Sequence, residues 1–203
     1  MHKVLMVTAS PRYAGSHSRR MATEFLQLLG NQHFEFMVTE RDLFAEAPPA
    51  LSNAMIQGFF RQPANDPAQV KAELTLSDRY TAELMSADTV VVATPMYNFN
   101  VPAALKAWID LVIRSGITFE KVADGKLEGR CQGKRLLVLC SMGGCFADTK
   151  FNLIEPYFRL ITEFIGLDQV EFIYLQGTAR SDLDRDSALE SARQAMLDFI
   201  QQS

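Results

Sequence analysis

Cysteine is scarce in this chain, which carries only 3 thiols in 203 residues. They stand at Cys131, Cys140 and Cys145, and neither the odd number nor the spacing matches a disulfide framework or a common zinc site. Few and unpaired cysteines are typical of a reducing compartment, so we expect a cytoplasmic protein without a metal site.

Positive charge is not in excess, since 20 Lys and Arg stand against 24 Asp and Glu for a net charge of −4. No basic stripe is visible, so nucleic acid is not an expected partner. The mild acidity also falls short of the strongly acidic surface expected of a protein dedicated to carrying electrons.

Long apolar runs are absent as well. The run VLMV at residues 4–7 is far shorter than the core of a signal peptide, or than the roughly 20 residues of a membrane helix. We therefore expect no membrane partner. The lysine-containing P-loop and the G-x-G-x-x-G fingerprint are also missing, which argues against an ATP site and against the most familiar type of NAD site.

The chain does contain a regular alternation of apolar runs and helix-periodic segments, over a length that suits one domain at residues 1–203. The pattern predicts strands at residues 3–9, 34–40, 89–94, 134–141 and 169–177. It predicts helices at residues 17–30, 69–87, 101–115, 151–165 and 182–201. The remaining segments, 41–68 and 116–133, are irregular, with a short helix near 51–58 and a small hairpin in the second.

Strands that alternate with helices form parallel sheets covered on both faces. The five predicted strands indicate an α/β fold, a flavodoxin-like doubly wound parallel sheet of order 2-1-3-4-5 with helices on both faces. In such sheets ligands bind at the carboxyl ends of the strands, at the switch point between the first and the third. The segments that matter are therefore residues 10–18, 95–100 and 141–149.

Helix starts are predicted from side chains that accept backbone N–H groups. Asn100 precedes the helix at 101–115, which has Pro102 in its first turn, and Ser181 or Asp182 precedes the last helix. Trp108, within the helix at 101–115, is predicted to be a core residue, and the alternative is a position at a dimer interface.

The first segment, SPRYAGSHS at residues 10–18, has the composition of an anion site. A helix start that follows a glycine offers free backbone N–H groups and the positive end of the helix dipole. The side chains of Ser16, His17 and Ser18 can add donors to a phosphate monoester that is held without a lysine. The alternative is ordinary N-capping by Ser16 or Ser18.

The second segment, PMYNF at residues 95–99, begins with a proline that cannot extend a strand. The backbone groups of Met96, Tyr97, Asn98 and Phe99 lack ladder partners and must find others. A flat heterocycle would satisfy them, with Tyr97 and Phe99 as walls and the Asn98 amide as a further donor and acceptor. The alternative is a turn whose two aromatic rings pack into the core.

The third segment, SMGG at residues 141–144, places Gly143 and Gly144 directly after a strand. Glycines let a ligand approach the backbone because no Cβ is in the way, although a plain turn uses the same pair. Together the three segments describe a ligand with a phosphate at one end and a planar ring at the other. FMN meets this description.

The same motifs carry a family resemblance. PMYNF ahead of VPAALKAWIDLV, SHS at 16–18 and SMGG at 141–144 resemble the FMN-dependent NADH azoreductases, among the flavodoxin-like NAD(P)H:quinone reductases. SGITF at 115–119 and EFIG at 163–166 extend the resemblance over nearly the whole chain. It implies bound FMN, NADH or NADPH as electron donor, and reduction of quinones and of azo bonds to aromatic amines. It also implies a homodimer with the active site at the interface, and one pocket used in turn predicts ping-pong kinetics.

By this resemblance the FMN phosphate is held by Ser10, Ser16, His17 and Ser18. The ring lies against Met96, Tyr97, Asn98 and Phe99, and its other flank is closed by Ser141, Met142, Gly143 and Gly144. Phe119 and Phe164 stand where family members place aromatic side chains over the flavin, and they are the expected substrate pocket. Met142 replaces an arginine that relatives often carry, which bears on nucleotide preference and substrate polarity. No side chain is predicted to be a catalytic acid or base.

Two other functions fit the same residues. A flavodoxin-type electron carrier would bind FMN but turn over NADH poorly, and the long segments 41–68 and 116–133 argue against it. An NAD(P)H:FMN reductase would release reduced flavin instead of keeping it. A plain α/β domain whose loops are only turns is the non-flavin alternative.

Overall fold

The computed structural model describes residues 1–32, 35–59 and 68–202. Its strands are β1 His2–Thr8, β2 Phe36–Asp42, β3 Thr89–Pro95, β4 Phe119–Lys121, β5 Leu127–Gly129, β6 Arg135–Ser141 and β7 Gln169–Leu175. Its helices are α1 His17–Gly30, α2 Asn53–Phe59, α3 Ala68–Ser86, α4 Ala103–Val112, α5 Ile154–Ile165 and α6 Arg185–Gln201. Residue 34 of the predicted second strand and residues 60–67 of the predicted irregular segment lie outside the described residues.

One parallel sheet of 5 strands has the order β2-β1-β3-β6-β7. This confirms the predicted order 2-1-3-4-5, since β6 and β7 are the fourth and fifth strands of this sheet along the chain. The short strands β4 and β5 pair antiparallel, which confirms the predicted hairpin. β2 is an edge strand as predicted, but it begins and ends later than expected because it pairs with β1 from His2–Phe36 to Thr8–Asp42.

Helices cover both faces of the sheet because its central strands send alternate side chains to opposite sides. Val91 and Ala93 of β3 pack with α1 and α6, whereas Val90 and Val92 pack with α3, α4 and α5. Every residue of β3 is buried, which explains the uninterrupted apolar run in the sequence. Each buried valine stabilises the fold by roughly 1.5–3 kcal/mol.

Two of the predicted helix caps are wrong. α4 begins after Pro102, which has no side-chain acceptor, and the Asn100 amide oxygen instead accepts the next residue's N–H at 2.8 Å. α6 is capped by Asp184 rather than by Ser181 or Asp182, because the Asp184 carboxylate accepts two N–H groups of the first helical turn. Several acceptors in a row make such a start ambiguous in the sequence.

The hairpin of β4 and β5 is fixed to the C-terminal end of α5. A Cβ on Gly129 would stand 2.0 Å from the backbone nitrogen of Gly166, so the contact requires glycine. The N–H of Cys131 donates to the carbonyl of Ile165 at 2.8 Å just beyond the hairpin. These contacts hold the hairpin against the C-terminal end of α5.

The cysteines have different environments. Burial raises the pKa of Cys131 to about 11 and that of Cys140 to about 12, so both are protonated thiols at neutral pH. Cys145 is exposed. Within the described ranges, no cluster of His, Cys, Asp and Glu side chains is suited to a metal ion, and no helix is long and apolar enough to cross a membrane.

Candidate functional site

The three predicted segments meet at one edge of the sheet. Their strands β1, β3 and β6 are parallel neighbours, so the segments that follow them emerge side by side. A cavity of about 250 Å³ lies over this edge. It is lined by Ser10, Arg12, Ser16, His17, Pro95, Met96, Tyr97, Ser141, Gly143 and Thr178. Members of all three segments therefore face one space at the switch point, and Thr178 joins them. Sequence reasoning missed Thr178, and it missed Arg12 of the first segment.

The first segment forms a network of serine hydroxyls. Ser16 Oγ donates to Ser10 Oγ at 2.9 Å and lies 3.3 Å from Ser18 Oγ. Ser16 also caps α1 by accepting the N–H of Arg19 at 3.4 Å, so the predicted capping is present. Among the described residues, the N–H groups of His17 and Ser18 have no acceptor. Hydroxyl and amide donors thus converge at the start of a helix, which is the arrangement that binds phosphate.

Arg19 fixes the position of this segment. Its guanidinium donates to the carbonyl of Ser10 at 2.7 Å and makes a bidentate pair with the carboxylate of Asp42, with distances of 2.8 and 2.7 Å. Burial raises the pKa of Asp42, but the hydrogen bonds from Arg19 and from the N–H of Phe44 outweigh it, so the pKa is lowered. The Arg19 pKa is raised by the same pair. No signal in the sequence linked these residues.

His17 lies in a positive environment. Its pKa is lowered, first by burial and then by the positive charges of Arg185, Arg12 and Arg20. The imidazole is therefore neutral at physiological pH and can donate one N–H. The surrounding arginines favour an anionic ligand at this position.

The second segment closes on itself as a tight turn. The N–H of Tyr97 donates to the carbonyl of Asn100 at 2.9 Å, and the N–H of Asn100 donates back to Tyr97 at 3.0 Å. The N–H of Met96 donates to the carbonyl of Ser141 at 2.8 Å. Residues 96–99 were expected to lack ladder partners and to find others, which was wrong for Met96, because its N–H continues the ladder to β6, whereas Tyr97 finds its partner within the turn.

The centre of this turn is strained. Asn98 has a φ of 49° and Phe99 a φ of 69°, and a positive φ is unusual for a side chain as large as phenylalanine. Within the described part of the chain, the N–H groups of Asn98 and Phe99 find no acceptor. Strained backbone of this kind is concentrated at ligand sites, where surrounding structure enforces it.

The aromatic rings of the second segment are not part of the core. Tyr97 is 40% exposed and Phe99 42% exposed, so the alternative of simple core packing was wrong for both. Phe99 instead contacts the rings of Phe146 and Phe151, with centroid distances of 5.6 and 5.3 Å. Sequence reasoning missed these two rings, although both follow the glycine pair within a few residues. Trp108, by contrast, is buried as predicted.

The third segment continues along β7 beyond the end of the sheet. The N–H of Met142 donates to the carbonyl of Leu175 at 2.9 Å, and the carbonyl of Met142 accepts the Thr178 N–H at 3.1 Å. The Met142 side chain is only 2% exposed and packs in the core, so it lies away from the cavity. Gly143 faces the cavity, while a Cβ on Gly144 would stand 2.5 Å from the Phe146 ring.

Phe119 and Phe164 lie elsewhere in the chain. Their rings contact each other with a centroid distance of 4.7 Å, at the hairpin and the last turn of α5. The start of α5 is next to Phe99, because the N–H of Leu153 donates to the Phe99 carbonyl at 3.2 Å. A helix of 12 residues is about 18 Å long. Phe119 and Phe164 are therefore distant from the cavity of their own chain, and neither lines it.

The sequence and the fold were compared with known proteins. The family model Flavodoxin_2, described as a flavodoxin-like fold, matches residues 2–200. An FMN-dependent NADH:quinone oxidoreductase of Alkalilimnicola ehrlichii is 42% identical over 188 residues, with 91% of each chain covered. One of Photorhabdus laumondii is 36% identical over 196 residues, which cover 97% of this chain and 98% of the relative.

Solved structures share the fold. An azoreductase from Bacillus anthracis Sterne superposes with a TM-score of 0.90 at 24% identity, with 100% of each chain covered. An FMN-dependent NADH-azoreductase from Bacillus anthracis Ames Ancestor, solved in complex with FMN, has a TM-score of 0.86 at 22% identity, and covers 100% of this chain and 99% of that one.

Proposed function

The chain belongs to the family of FMN-dependent NADH:quinone oxidoreductases, within the flavodoxin-like fold, and from that premise we propose that it binds FMN over the sheet edge and uses NADH to reduce quinones and azo bonds. One observation carries the proposal. Serine hydroxyls, an aromatic turn and a glycine segment, from three separate parts of the chain, face a single cavity at the switch point between β1 and β3.

The residues at the start of α1 fit a phosphate. Ser10, Ser16 and Ser18 present linked hydroxyls, and the free N–H groups of the first helical turn add further donors. Hydrogen bonds to a charged group contribute about 1.5–3 kcal/mol each, which is enough to retain a phosphate without a lysine. His17 can donate one more.

The residues at the second and third segments fit a planar ring. The unpaired N–H groups of Asn98 and Phe99 can donate to ring oxygen and nitrogen atoms, and Gly143 presents backbone without a side chain. When bound, FMN supplies the redox chemistry, accepting a hydride from NADH and giving two electrons to a quinone. The fixed N–H donors stabilise negative charge on the ring edge, because they are already oriented and need no reorganisation.

The chain has no acid or base assigned to the reaction. Among the residues that line the cavity, His17 lies at the phosphate end rather than at the ring. Binding and orientation are therefore the main contributions of the protein. NADH and the quinone are expected to bind in one pocket in turn, which predicts ping-pong kinetics. Complete cleavage of an azo bond to two amines takes two such cycles.

A second copy of the chain completes the site in this proposal. Apolar side chains form a stripe along α5 and the residue before it, in which Leu153, Leu160 and Phe164 are exposed, Leu160 to 66% and Leu153 to 48%, and Tyr157 between them is half-buried. Their spacing of three and four residues puts them on one helix face. A homodimer that buries this stripe would bring Phe119 and Phe164 of one copy toward the other copy's flavin, since they cannot reach their own.

Two measurements test the proposed function. The purified protein should keep FMN through desalting, which an NAD(P)H:FMN reductase would not do. Steady-state rates with NADH and a quinone should give parallel double-reciprocal lines. Protein that loses its flavin on the column, or that holds FMN but oxidises NADH no faster with a quinone than without, would refute the proposal in favour of a flavin-releasing reductase or a carrier.

A further inference from the structure

The positive φ of Phe99 is enforced by a neighbouring segment, residues 146–153, which joins the glycine segment to α5. The Phe99 ring contacts the rings of Phe146 and Phe151, which also contact each other with a centroid distance of 6.1 Å. The Phe99 carbonyl accepts the N–H of Leu153 at 3.2 Å. Strained backbone persists only where the surrounding structure fixes it, so these contacts hold the turn of the second segment in its observed conformation.

Asn152 is the buried side chain that fixes this neighbouring segment. It is only 6% exposed, and its amide nitrogen donates to the carbonyl of Ala147 and to the hydroxyl of Tyr174 on β7, both at 3.0 Å. Its amide oxygen accepts the N–H groups of Ile154 at 3.2 Å and of Glu155 at 3.4 Å, in the first turn of α5. Both donors and both acceptor positions of the amide are used, so one side chain ties the segment to a helix and to a strand.

The partners of Asn152 are themselves held from a second side. The N–H of Ala147 donates to the side-chain oxygen of Gln176 at 2.8 Å, and the Tyr174 hydroxyl donates to the carboxylate of Glu155 at 2.8 Å. Burial and the hydrogen bond to Glu155 raise the pKa of Tyr174, so its hydroxyl keeps its proton at neutral pH. A buried network with every member paired is rigid, and each of the two aromatic rings in the segment directly precedes a residue that the network holds.

We propose that Asn152 is a positioning residue for flavin binding, because its amide fixes the segment 146–153, whose aromatic rings hold Phe99 in its strained conformation beside the flavin ring. This inference rests on the proposed function, since it takes the second segment to contact the ring of FMN. Asn152 does not line the candidate cavity, so it acts through Phe99 and not by contact. The alternative is that Asn152 only caps α5, because Leu153, directly before the helix, provides no side-chain cap.

Two substitutions separate capping from positioning. Asn152→Ser keeps a cap, because serine caps helices about as well as asparagine, but its shorter side chain cannot reach both Ala147 and Tyr174. Tyr174→Phe removes one partner of the amide and leaves the cap in place. Calorimetric titration of the full chain, stripped of flavin, measures the Kd for FMN. We expect Asn152→Ser to raise it by about tenfold and Tyr174→Phe by about threefold, in line with the loss of two hydrogen bonds and of one.

A double-mutant cycle with Phe99→Ala shows whether Asn152 acts through the Phe99 ring. Phe99→Ala leaves no ring to be positioned, so Asn152→Ser should raise the Kd for FMN by less than about threefold in that background. A residue with only a structural role would raise the Kd by the same factor with and without the ring. Thr162→Val is the matched control, because Thr162 is a buried residue in the C-terminal half of α5 whose hydroxyl donates to the Phe158 carbonyl at 2.9 Å. It should leave the Kd for FMN unchanged.

The possible results separate the two proposals. FMN binding that neither Asn152→Ser nor Tyr174→Phe weakens would overturn the inference and leave the proposed function intact. An equal effect of Asn152→Ser with and without the Phe99 ring, or an effect no larger than that of Thr162→Val, would give Asn152 a structural role only and would also overturn it. Failure of the folded, unchanged chain to bind FMN would refute the proposed function itself.

Discussion

Ser16 is the residue at which capping and phosphate binding can be separated. Its side chain caps α1 through the N–H of Arg19 and also holds the hydroxyl network with Ser10 and Ser18. Ser16→Ala removes both roles. Ser16→Asp keeps the first, because aspartate caps helices as well as serine does, but it places a negative charge where the phosphate should bind.

The two substitutions have different expected magnitudes. Ser16→Ala should lower the free energy of unfolding of the flavin-free protein by about 1 kcal/mol, as for other lost caps. It should also weaken FMN by about 10- to 150-fold, because one hydrogen bond to a charged group contributes about 1.5–3 kcal/mol. Ser16→Asp should leave the free energy of unfolding nearly unchanged but weaken FMN by about a thousandfold, since like charges about 4 Å apart repel by about 4 kcal/mol near a protein surface.

Urea unfolding of the flavin-free variants and calorimetric titration with FMN measure these two quantities. Ser86→Ala is the matched control, because Ser86 is exposed, its hydroxyl donates to a helix carbonyl at 3.0 Å, and it is remote from the sheet edge. The reasoning is wrong if the folded Ser16→Asp protein binds FMN as tightly as the unchanged chain, or if Ser16→Ala weakens FMN no more than Ser86→Ala does.

Three further predictions follow from the backbone and from one ion pair. Phe99→Gly should unfold at a higher urea concentration than Phe99→Ala, because both lose the ring contacts with Phe146 and Phe151 but only glycine relieves a φ of 69°, which costs about 1–3 kcal/mol. Both variants should lower kcat/KM for quinones, and equal midpoints would mean no strain. Gly129→Ala should destabilise the fold by about 3 kcal/mol, because its Cβ meets Gly166 backbone at 2.0 Å, and wild-type stability in thermal melts would contradict this. Asp42→Asn should lose about 1 kcal/mol at pH 7, because the pair with Arg19 holds the Asp42 pKa below its ordinary value. That contribution is present above the unfolded pKa of about 3.9 and is lost as the pH falls through the folded pKa, so urea unfolding of Asp42→Asn and of the unchanged chain should converge at low pH.

The middle of the sheet could be predicted from the sequence because β1, β3 and β6 are buried on both faces. A strand such as β3, with all of its residues buried, requires a continuous apolar run, and such a run is visible in the sequence. Helix starts were less predictable, because Ser181, Asp182 and Asp184 are all competent acceptors and only the path of the chain selects Asp184. The edge strand β2 begins and ends later in the structure than the sequence predicts, because its ends depend on pairing with β1.

The candidate site was predictable as segments but not as contacts. Parallel order alone brings the three segments to one edge, whereas the pair of Arg19 with Asp42 joins residues of two different elements and leaves no pattern in the sequence. The direction of the Met142 side chain depends on how far the third segment follows β7, which local sequence does not encode. The role of Phe119 and Phe164 stays a prediction that depends on a second copy of the chain.

The central claim is that this chain holds FMN and passes electrons from NADH to a quinone. The most direct test is the absorption spectrum of the desalted protein under anaerobic conditions, recorded before and after one equivalent of NADH and again after a quinone. We expect the bands of oxidised flavin to bleach with NADH and to return with the quinone. Flavin bands that resist NADH, or their absence even after incubation with FMN and desalting, would contradict the assignment.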